Sequence, residues 1–300
     1  MKIQYIIADK YTDAIQSFKV TGDDTSVKLA VDKIIDEHLA ENKNGDVYKF
    51  LFNCIDLTTL KSTDSPQSVA DFTERVNAFD EEHPELNNVA AICVYPNFAQ
   101  VVRTVLDVSS VKIACVSGGF PSSQTFPEVK IAETALAIDG GADEIDIVLN
   151  LGNFFDGDYE EVATEIDEIH HACRDARLKV ILETGALKTA ENIKKASILA
   201  LYSGADFLKT STGKEYPGAS LEAAYVMIQC IKEYHEKTGR MVGFKCSGGV
   251  ATTAEAVAYY TLVKEILGEK WLTSQFFRIG ASRLANNLLS DILGEETKFF

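Results

Sequence analysis

Two stretches, ADFLKTSTGK at residues 205–214 and MVGFKCSGGV at residues 241–250, decide how this chain folds. Each begins with a short apolar, β-rich run and places a lysine, Lys209 or Lys245, near the end of that run. Strand interiors favour Val, Ile and Phe, and a buried ammonium is costly unless it is paired or loses its proton. Two lysines at matching positions therefore indicate amine chemistry, although either lysine alone could simply be solvated at a strand tip.

Six further runs of the same kind lie along the chain, and helical stretches separate them. The eight predicted strands are 50–57, 89–96, 111–117, 144–150, 178–184, 205–211, 241–247 and 276–282. Strands that alternate with helices form either a doubly wound sheet or a closed barrel, because the crossovers between parallel strands are right-handed. Eight similar units favour the barrel, so the expected fold is α/β, a (β/α)8 TIM barrel.

Helix start and stop signals occupy the segments between these runs. The predicted starts are Ser65-Pro66 and the capping boxes of Asp158 with Glu161 and of Thr252 with Glu255. The predicted stops, all left-handed C-caps, are Gly140, Gly204 and Gly239. These signals agree with a helix between each pair of strands.

Residues 1–45 precede the barrel and are predicted to form a helical extension. Apolar positions follow the i, i+3, i+4 pattern from Val27 to Leu39, which indicates an amphipathic helix that packs on the barrel. The predicted organisation is therefore an N-terminal extension over residues 1–45 and a barrel with a short C-terminal tail over residues 46–300.

Composition and charge limit the class of protein. The 300 residues are 46% hydrophobic and 25% charged, and a barrel of about 250 residues commonly forms a single domain. The net charge of -16 argues against nucleic acid and against an anionic membrane as partners, because both reward clustered Lys and Arg. The six cysteines include no CxxC pair, and no apolar run approaches the roughly 18 residues of a membrane span. We expect a cytoplasmic protein with reduced thiols.

Asp146, in the run DEIDIVLN, is a third ionisable group near a predicted strand end. Active sites of such barrels lie at the carboxyl ends of the strands, so Asp146, Lys209 and Lys245 are expected to converge there. Two nearby ammonium groups disfavour each other's charge, so one lysine should titrate below its ordinary range and act as a nucleophile. A neutral amine forms a Schiff base with a carbonyl, and Asp146 can move protons during carbon–carbon cleavage. The spacing alone does not choose between the lysines.

Glycines beside the last two predicted strand ends indicate a phosphate site. Gly248 and Gly249 follow the seventh run, and Gly280 and Ser282 lie at the end of the eighth. Backbone N–H groups at helix starts bind anions, and such barrels often hold a phosphate after strands seven and eight. A pair of glycines is also common in a tight turn. The position after these two strands favours the phosphate.

At these residues the chain resembles the class I deoxyribose-phosphate aldolases. The matching blocks are IDLTTL (55–60), AAICVYPNF (90–98), GADEIDIVLN (141–150), VILETGALK (180–188), GADFLKTSTGK (204–214), VGFKCSGGV (242–250) and RIGASRL (278–284). The resemblance implies that Lys209 forms the Schiff base, that Lys245 lowers its pKa and that Asp146 transfers protons. The phosphate-side positions that it implies are Lys214, Gly248, Gly249, Gly280 and Ser282.

The resemblance also implies the reaction and the partners. Members reversibly cleave 2-deoxy-D-ribose 5-phosphate into acetaldehyde and D-glyceraldehyde 3-phosphate, a step of deoxyribonucleotide catabolism, without a metal or another cofactor. The expected partners are therefore a small sugar phosphate and an aldehyde. Barrels of this class often dimerise, so a homodimer is an expected assembly, although the sequence reveals no interface.

Some positions depart from the family pattern. Arg283 stands where members often carry a second serine, and its guanidinium could bind phosphate or point to solvent. Some members end in a tyrosine implicated in proton abstraction, whereas no tyrosine follows Tyr260 here. Proton exchange at the enamine carbon then depends on Asp146 and water, or is slower. Glu183 and Lys188 could form a supporting ion pair or lie in a solvated loop.

Two alternative functions stay open at this point. The five histidines show no metal-ligand spacing, so a metal-dependent aldolase is not expected. A lysine-dependent aldolase or transaldolase with a different donor is the first alternative, and activity with acetaldehyde against dihydroxyacetone phosphate separates it. The second is a catalytically silent barrel that binds sugar phosphates. The lysine pair argues against it, because binding does not need an amine of lowered pKa.

Overall fold

Eight parallel strands close into a barrel in the computed structural model, which describes residues 10–300. The strands are β1 (Ile55–Thr58), β2 (Ala91–Val94), β3 (Lys112–Ser117), β4 (Glu144–Val148), β5 (Arg177–Ile181), β6 (Phe207–Lys209), β7 (Gly243–Ser247) and β8 (Phe277–Ala281). Each strand pairs with the next one along the chain, and β8 pairs with β1. The predicted (β/α)8 TIM barrel is confirmed.

Helices surround this barrel. Within residues 10–300 they are α1 (Lys10–Ser17), α2 (Asp24–His38), α3 (Gly45–Asn53), α4 (Pro66–Glu82), α5 (Ala99–Val105), α6 (Pro127–Asp139), α7 (Leu151–Asp156), α8 (Tyr159–Ala172), α9 (Thr184–Leu187), α10 (Ala190–Tyr202), α11 (Leu221–Thr238), α12 (Thr253–Leu267) and α13 (Arg283–Leu293). Short 3-10 turns cover Ala40–Asn42, Pro96–Phe98 and Glu269–Trp271. In this part of the chain no helix has the length and apolar character needed to cross a bilayer.

The helix starts follow the predicted caps. The Ser65 hydroxyl accepts a hydrogen bond from the Ser68 amide, and Pro66 is the first residue of α4. Thr252 and Glu255 form a reciprocal capping box at the start of α12. Asp158 accepts a hydrogen bond from the Glu161 amide at the start of α8. Side-chain acceptors at these positions satisfy amides that have no partner within the helix.

Two of the three predicted glycine stops take a left-handed φ. Gly239 is the C-cap of α11, with a left-handed φ of 76°. Gly140 caps α6 but keeps a helical φ of -74°, and the next residue, Gly141, takes the positive φ instead. Gly204 follows Ser203, the C-cap of α10, and takes a positive φ of 103°. The prediction is therefore wrong at Gly140, where the left-handed position moves by one residue to Gly141.

The first predicted strand, 50–57, is wrong over half of its length. Residues 50–53 belong to α3, and β1 begins only at Ile55. Asn44 caps α3 by accepting a hydrogen bond from the Val47 amide at 3.1 Å, and Val47 and Leu51 are buried on one helix face. A short apolar run cannot be assigned to strand or buried helix by composition alone, and the cap decides it here. The other seven strands overlap the predicted runs.

Alternation along each strand separates an apolar layer from a charged interior. In β4, Ile145 and Ile147 join the apolar core between strands and helices, whereas Glu144 and Asp146 bind cationic side chains inside the barrel. This arrangement places charged side chains inside the barrel and apolar side chains between the strands and the helices.

The helix expected between residues 27 and 39 is α2, which contacts α11 and α12 on the outside of the barrel. Val27 and Val31 are buried, and Asp23 caps its start. Residues 1–9 of the predicted extension lie outside the described residues. The division into residues 1–45 and 46–300 stays a prediction.

Candidate active site

Lys209, Lys245 and Asp146 meet inside the barrel. Lys209 and Lys245 are register partners on β6 and β7, so their side chains point the same way. Both ammonium groups donate to the same carboxylate oxygen, Oδ2 of Asp146, at 2.8 Å and 2.7 Å. Asp146 and Lys245 are fully buried, and Lys209 keeps 4% of its surface exposed. One carboxylate therefore holds two amines, and Lys209 is the more accessible amine.

The positions of these residues along their strands differ from the expectation. Lys209 is the last residue of β6, as predicted, but Asp146 and Lys245 lie at the centres of β4 and β7. Strands in a barrel are tilted and staggered, so the centre of one strand can stand level with the end of another. The three side chains still converge.

Four further charged side chains, which the sequence reasoning missed, lie beneath this trio: Asp56, Glu144, Lys179 and Arg278. The Lys179 ammonium lies 2.6 Å from Glu144 Oε2 and 2.8 Å from Asp146 Oδ1. Arg278 binds Asp56 at 2.7 Å and Glu144 at 2.8 Å. Lys245 also reaches Asp56 Oδ2, at 2.5 Å. The trio is thus the upper part of a larger buried charge network.

The sequence carried a signal for these residues that was not used. Each is a charged residue inside an apolar run: Asp56 in CIDLT, Glu144 in EIDIV, Lys179 in RLKVI and Arg278 in FRIGA. Glu144 stands two positions before Asp146, which places both carboxylates on one face of β4. Period-two alternation around a recognised site residue could therefore have found Glu144.

Burial and charge shift the pKa values of the two upper lysines in opposite directions. Burial lowers the pKa of Lys209 below its ordinary value, and the Lys245 charge lowers it further against the opposing pull of Asp146. Burial also acts on Lys245, but Asp146 and Asp56 outweigh it and raise the pKa of Lys245. Lys209 is therefore the amine that loses its proton more readily, and burial is the main cause.

The carboxylates of the network stay ionised. Burial alone would raise the pKa of Asp146, but Lys179, Lys209 and Lys245 together hold it well below its ordinary value. The pKa of Asp56 is lowered in the same way, against its burial, by Lys245, Lys179 and Arg278. A charged Asp146 can accept a proton from either amine above it.

Gly280 makes room for this arrangement. A Cβ atom at residue 280 would lie 3.1 Å from Cε of Lys245 and 2.9 Å from Cβ of Ser247. The contact with Ser247 is too short for a side chain, and the contact with the Lys245 stem would be tight. Gly280 therefore belongs to the site by its absent side chain as well as by its place near the predicted phosphate.

The predicted phosphate residues surround two adjoining cavities at the mouth of the barrel. A cavity of about 180 Å³ is lined by Gly248, Gly249, Gly280 and Ser282. A larger one of about 620 Å³ is lined by Lys214 and again by Ser282. Arg283 lines both cavities, and Lys61 and Arg75 add further positive charge to the larger one. Asp64 and Asp71 also line the larger cavity, so the cations there exceed the carboxylates by four to two.

The two helix starts at this mouth differ in their readiness for an anion. At the start of α12 the amides of Ala251 and Thr252 already donate to the Glu255 carboxylate, both at 2.9 Å. The start of α13 has, within the described chain, no side-chain cap and no acidic residue in its first turn. Free amides at a helix start attract anions, so the α13 start beside Ser282 is better suited to an anion than the α12 start.

Glu183 and the C-terminal phenylalanines have defined places beside the site. Glu183 is buried and accepts hydrogen bonds from the amide and hydroxyl of Thr212, so it forms no ion pair with Lys188 in the part of the chain that the structure describes. The rings of Phe299 and Phe300 pack on Phe79, and Phe300 lines the larger mouth cavity. An apolar ring thus stands at the mouth.

One cluster with metal-ligand spacing lies among residues 10–300. It consists of His38, Glu41 and Glu265, on the outside of the barrel, and both glutamates are exposed. None of these residues belongs to the charge network or to the mouth cavities.

Comparisons with known proteins agree with this geometry. Residues 50–266, more than half of the chain, match the profile of the DeoC/LacD family aldolase. The chain is 41% identical over 254 residues to the deoxyribose-phosphate aldolase of Mus musculus, covering 79% of this chain and 77% of the mouse protein. It is 40% identical over 244 residues to that of Agrobacterium fabrum, covering 81% and 90%.

A solved structure supports the same architecture. The tetrameric deoxyribose phosphate aldolase of Aeropyrum pernix superposes with a TM-score of 0.66, over 86% of this chain and 96% of that chain, at 23% sequence identity. At this level of identity the match shows the shared fold.

Proposed function

Because the chain belongs to the DeoC/LacD family of aldolases, we propose that it is a deoxyribose-phosphate aldolase that reversibly cleaves 2-deoxy-D-ribose 5-phosphate into acetaldehyde and D-glyceraldehyde 3-phosphate. The observation that carries this proposal is the pair of lysines on one carboxylate oxygen, with Lys209 the amine of lowered pKa. A nucleophilic lysine forms imines with carbonyl substrates. Lys209 is accordingly the proposed Schiff-base residue, which is the role that the family resemblance implied.

The reaction begins with attack on the open-chain sugar. The neutral Lys209 amine adds to the C1 carbonyl, and the resulting carbinolamine loses the C1 oxygen as water to give a protonated imine. The C3 hydroxyl then gives up its proton to Asp146, the C2–C3 bond breaks, and C3 becomes the aldehyde of glyceraldehyde 3-phosphate. The bonding electron pair moves toward the imine nitrogen and leaves an enamine. Protonation at C2 and addition of water release acetaldehyde and regenerate Lys209.

Asp146 and Lys245 are the proposed proton-transfer residues. The Asp146 carboxylate lies within hydrogen-bond distance of both amines, at 2.8 Å and 2.7 Å, so it can pass protons between them. The raised pKa of Lys245 keeps that residue protonated, so it can donate to the carbinolamine oxygen. No tyrosine follows Tyr260, so we assign the exchange at C2 to Asp146 and water.

The phosphate of the substrate is proposed to bind at the mouth. Gly249 and Ser282 line the smaller cavity beside the open start of α13, and Lys214 adds a charge from the larger cavity. Gly248 and Gly280 provide close approach of backbone, and Gly248 has a φ of 82° that favours glycine. The phosphate would thus hold the sugar with its aldehyde end toward Lys209.

Trapping of the imine tests the proposal. The purified protein is incubated with 2-deoxyribose 5-phosphate and borohydride, and the reduced adduct is mapped by peptide mass spectrometry. We expect the adduct on Lys209 and none in the folded Lys209→Ala variant. An adduct on Lys245 would reverse the two roles. Absence of both adduct and cleavage by folded protein would favour the silent sugar-phosphate binder.

We also propose a cellular location and an assembly for this protein. The six cysteines are buried and unpaired in the described chain, which fits a reducing compartment, so we propose a cytoplasmic enzyme. Phe126, Val129 and Leu136 expose apolar side chains along α6, and such a stripe could serve a homodimer. Sedimentation velocity of the wild type and of Leu136→Glu tests the homodimer.

A further inference from the structure

Seven charged side chains share the barrel interior in the described part of the chain: Asp56, Glu144, Asp146, Lys179, Lys209, Lys245 and Arg278. All seven are buried. They comprise three carboxylates and four cationic groups. If every group were ionised, the interior would carry one uncompensated positive charge, which burial makes costly. One cationic group must therefore be the first to give up its proton.

The contacts identify that group. Lys179 lies within 4 Å of all three carboxylates, and Arg278 and Lys245 each contact two. Lys209 contacts a single carboxylate within the described residues, Asp146, and shares that oxygen with Lys245. Arg278 is a guanidinium that keeps its charge in proteins. Lys209 is thus the least stabilised of the four cations.

We propose that Lys179 is a positioning residue of this enzyme. Its positive charge neutralises part of the negative charge of the three carboxylates, so that Lys209 remains a neutral nucleophile. The inference rests on the proposed function, because a neutral Lys209 matters only if it attacks a carbonyl. Lys179 lies on β5 beneath Asp146 and donates to Asp146 Oδ1, the oxygen that Lys209 does not use. It acts through Asp146 and through charge, without touching the substrate.

Two further titratable groups, Cys93 and Glu183, interact with Lys209 from outside the network. Cys93 on β2 is buried, and burial raises the pKa of its thiol, so it stays neutral. Glu183, after β5, is bound to Thr212 and contacts no cation of the network within residues 10–300. Burial raises the pKa of Glu183, and the Lys209 charge opposes that rise from beyond ion-pair distance. The charged groups in direct contact with Lys209 or with its carboxylate partner are those of the seven-residue network.

The test measures how the charge on Lys209 depends on pH. Lys209 is alkylated with acetaldehyde and cyanoborohydride from pH 5 to pH 10, and the modified fraction is read by peptide mass spectrometry. The midpoint of this curve reports protonation of Lys209 and needs no cleavage of sugar phosphate. The variants are Lys179→Met, Glu144→Gln and the double variant. Lys130→Met is the matched control, because Lys130 is also buried but pairs with Glu165 outside the network.

The expected shifts have opposite signs. Removing the positive charge of Lys179 makes protonation of Lys209 easier, so the midpoint should rise by about 1 to 3 pH units. Removing the negative charge of Glu144 makes it harder, so the midpoint should fall. The double variant keeps two carboxylates and, besides Lys209, two cations. This is the same balance around Lys209 as in the wild type, so its midpoint should return toward the wild-type value. Lys130→Met should leave the midpoint unchanged.

The outcomes separate this inference from the proposed function. If Lys179→Met and Glu144→Gln leave the midpoint unchanged, or shift it in the same direction, Lys179 has only a structural role and the inference is overturned. If Lys179→Met does not fold, the Glu144→Gln shift carries the test, with a fall supporting the inference and no fall overturning it. If the variants shift the Lys209 midpoint as expected but the wild-type protein does not cleave the sugar phosphate, the proposed function alone is overturned.

Discussion

Lys130 and Lys209 are both buried lysines that donate to a buried carboxylate, yet their surroundings differ. Lys130, on α6, lies 2.7 Å from Glu165 on α8 and donates to the Ser123 hydroxyl at 2.8 Å. One cation there faces one anion. Lys209 lies 2.8 Å from Asp146, but three further cations compete for the same small set of carboxylates. Lys130 therefore has a carboxylate of its own, whereas Lys209 shares its carboxylate with other cations.

This difference shows that burial alone does not make a lysine reactive. A buried ammonium with its own counterion gains charge-assisted hydrogen bonds that offset its desolvation. A buried ammonium in excess over its counterions lowers the free energy of the site by losing its proton. The number of carboxylates within reach, compared with the number of cations, distinguishes a structural lysine from a nucleophile.

The largest expected effect is at Lys209, the lysine that shares its carboxylate with other cations. Lys209→Met should lower kcat/KM for cleavage of 2-deoxyribose 5-phosphate by about 10⁴-fold or more, because the covalent route is lost. The fold should persist, since Asp146 keeps Lys179 and Lys245 as partners. Steady-state kinetics with circular dichroism checks both statements. Retention of more than about one hundredth of the activity would contradict the assignment of Lys209 as the nucleophile.

Lys130, which has its own carboxylate, should show the reverse pattern, a loss of stability without a loss of activity. Lys130→Met leaves the Glu165 carboxylate buried without its cation, which should lower the free energy of unfolding by about 3–5 kcal/mol. Chemical denaturation measures this, and kcat/KM of the folded fraction should stay near the wild-type value. The double variant Lys130→Met, Glu165→Leu removes both charges and should recover much of the loss. A drop in kcat/KM as large as that of Lys209→Met would erase the distinction between the two lysines.

The sequence predicts the upper part of this site better than the lower part. Lys209, Lys245 and Asp146 could be predicted because their motifs place ionisable groups near strand ends, and the structure brings them together. Lys179 and Arg278 were missed because a charged residue in an apolar run has no visible partner until strand register is known. The partner of Arg278 on β4, Glu144, lies 134 residues away in sequence. Only closure of the barrel brings these side chains together.

The fold was predictable for a different reason, and its errors are local. Eight β-rich runs with helices between them allow few topologies, so the closed barrel followed without any long-range contact. The strand expected at residues 50–57 failed because a single cap, Asn44, turns its first half into α3. Strand position along the barrel axis also could not be read, which is why Asp146 and Lys245 were placed at strand ends.

Lys214, at the mouth of the barrel, is an exposed lysine and differs from both buried lysines. Lys214 is exposed and, among residues 10–300, forms no ion pair; its ammonium donates to the Leu60 carbonyl. Its counterion would be the phosphate of the substrate. Lys214→Met should therefore raise KM by about 10- to 100-fold, the effect of losing a hydrogen bond to a charged group, with a smaller change in kcat. Kinetics with the sugar phosphate and with unphosphorylated deoxyribose separate phosphate binding from the other steps. With unphosphorylated deoxyribose, the KM and kcat of the variant should equal those of the wild type.

The smallest expected effect is at Ser282, where the ligand contact is neutral. Ser282→Ala removes one hydroxyl beside the open start of α13, but the helix amides remain, so KM should rise by about 2- to 10-fold. Ser282→Asp is the matched variant of opposite sign. Its carboxylate would occupy the same amides and repel the phosphate, so its KM should rise well beyond that of Ser282→Ala. If both variants bind the sugar phosphate like the wild type, the phosphate lies elsewhere in the mouth, and Lys61 and Arg75 on the side of the larger cavity become the residues to test.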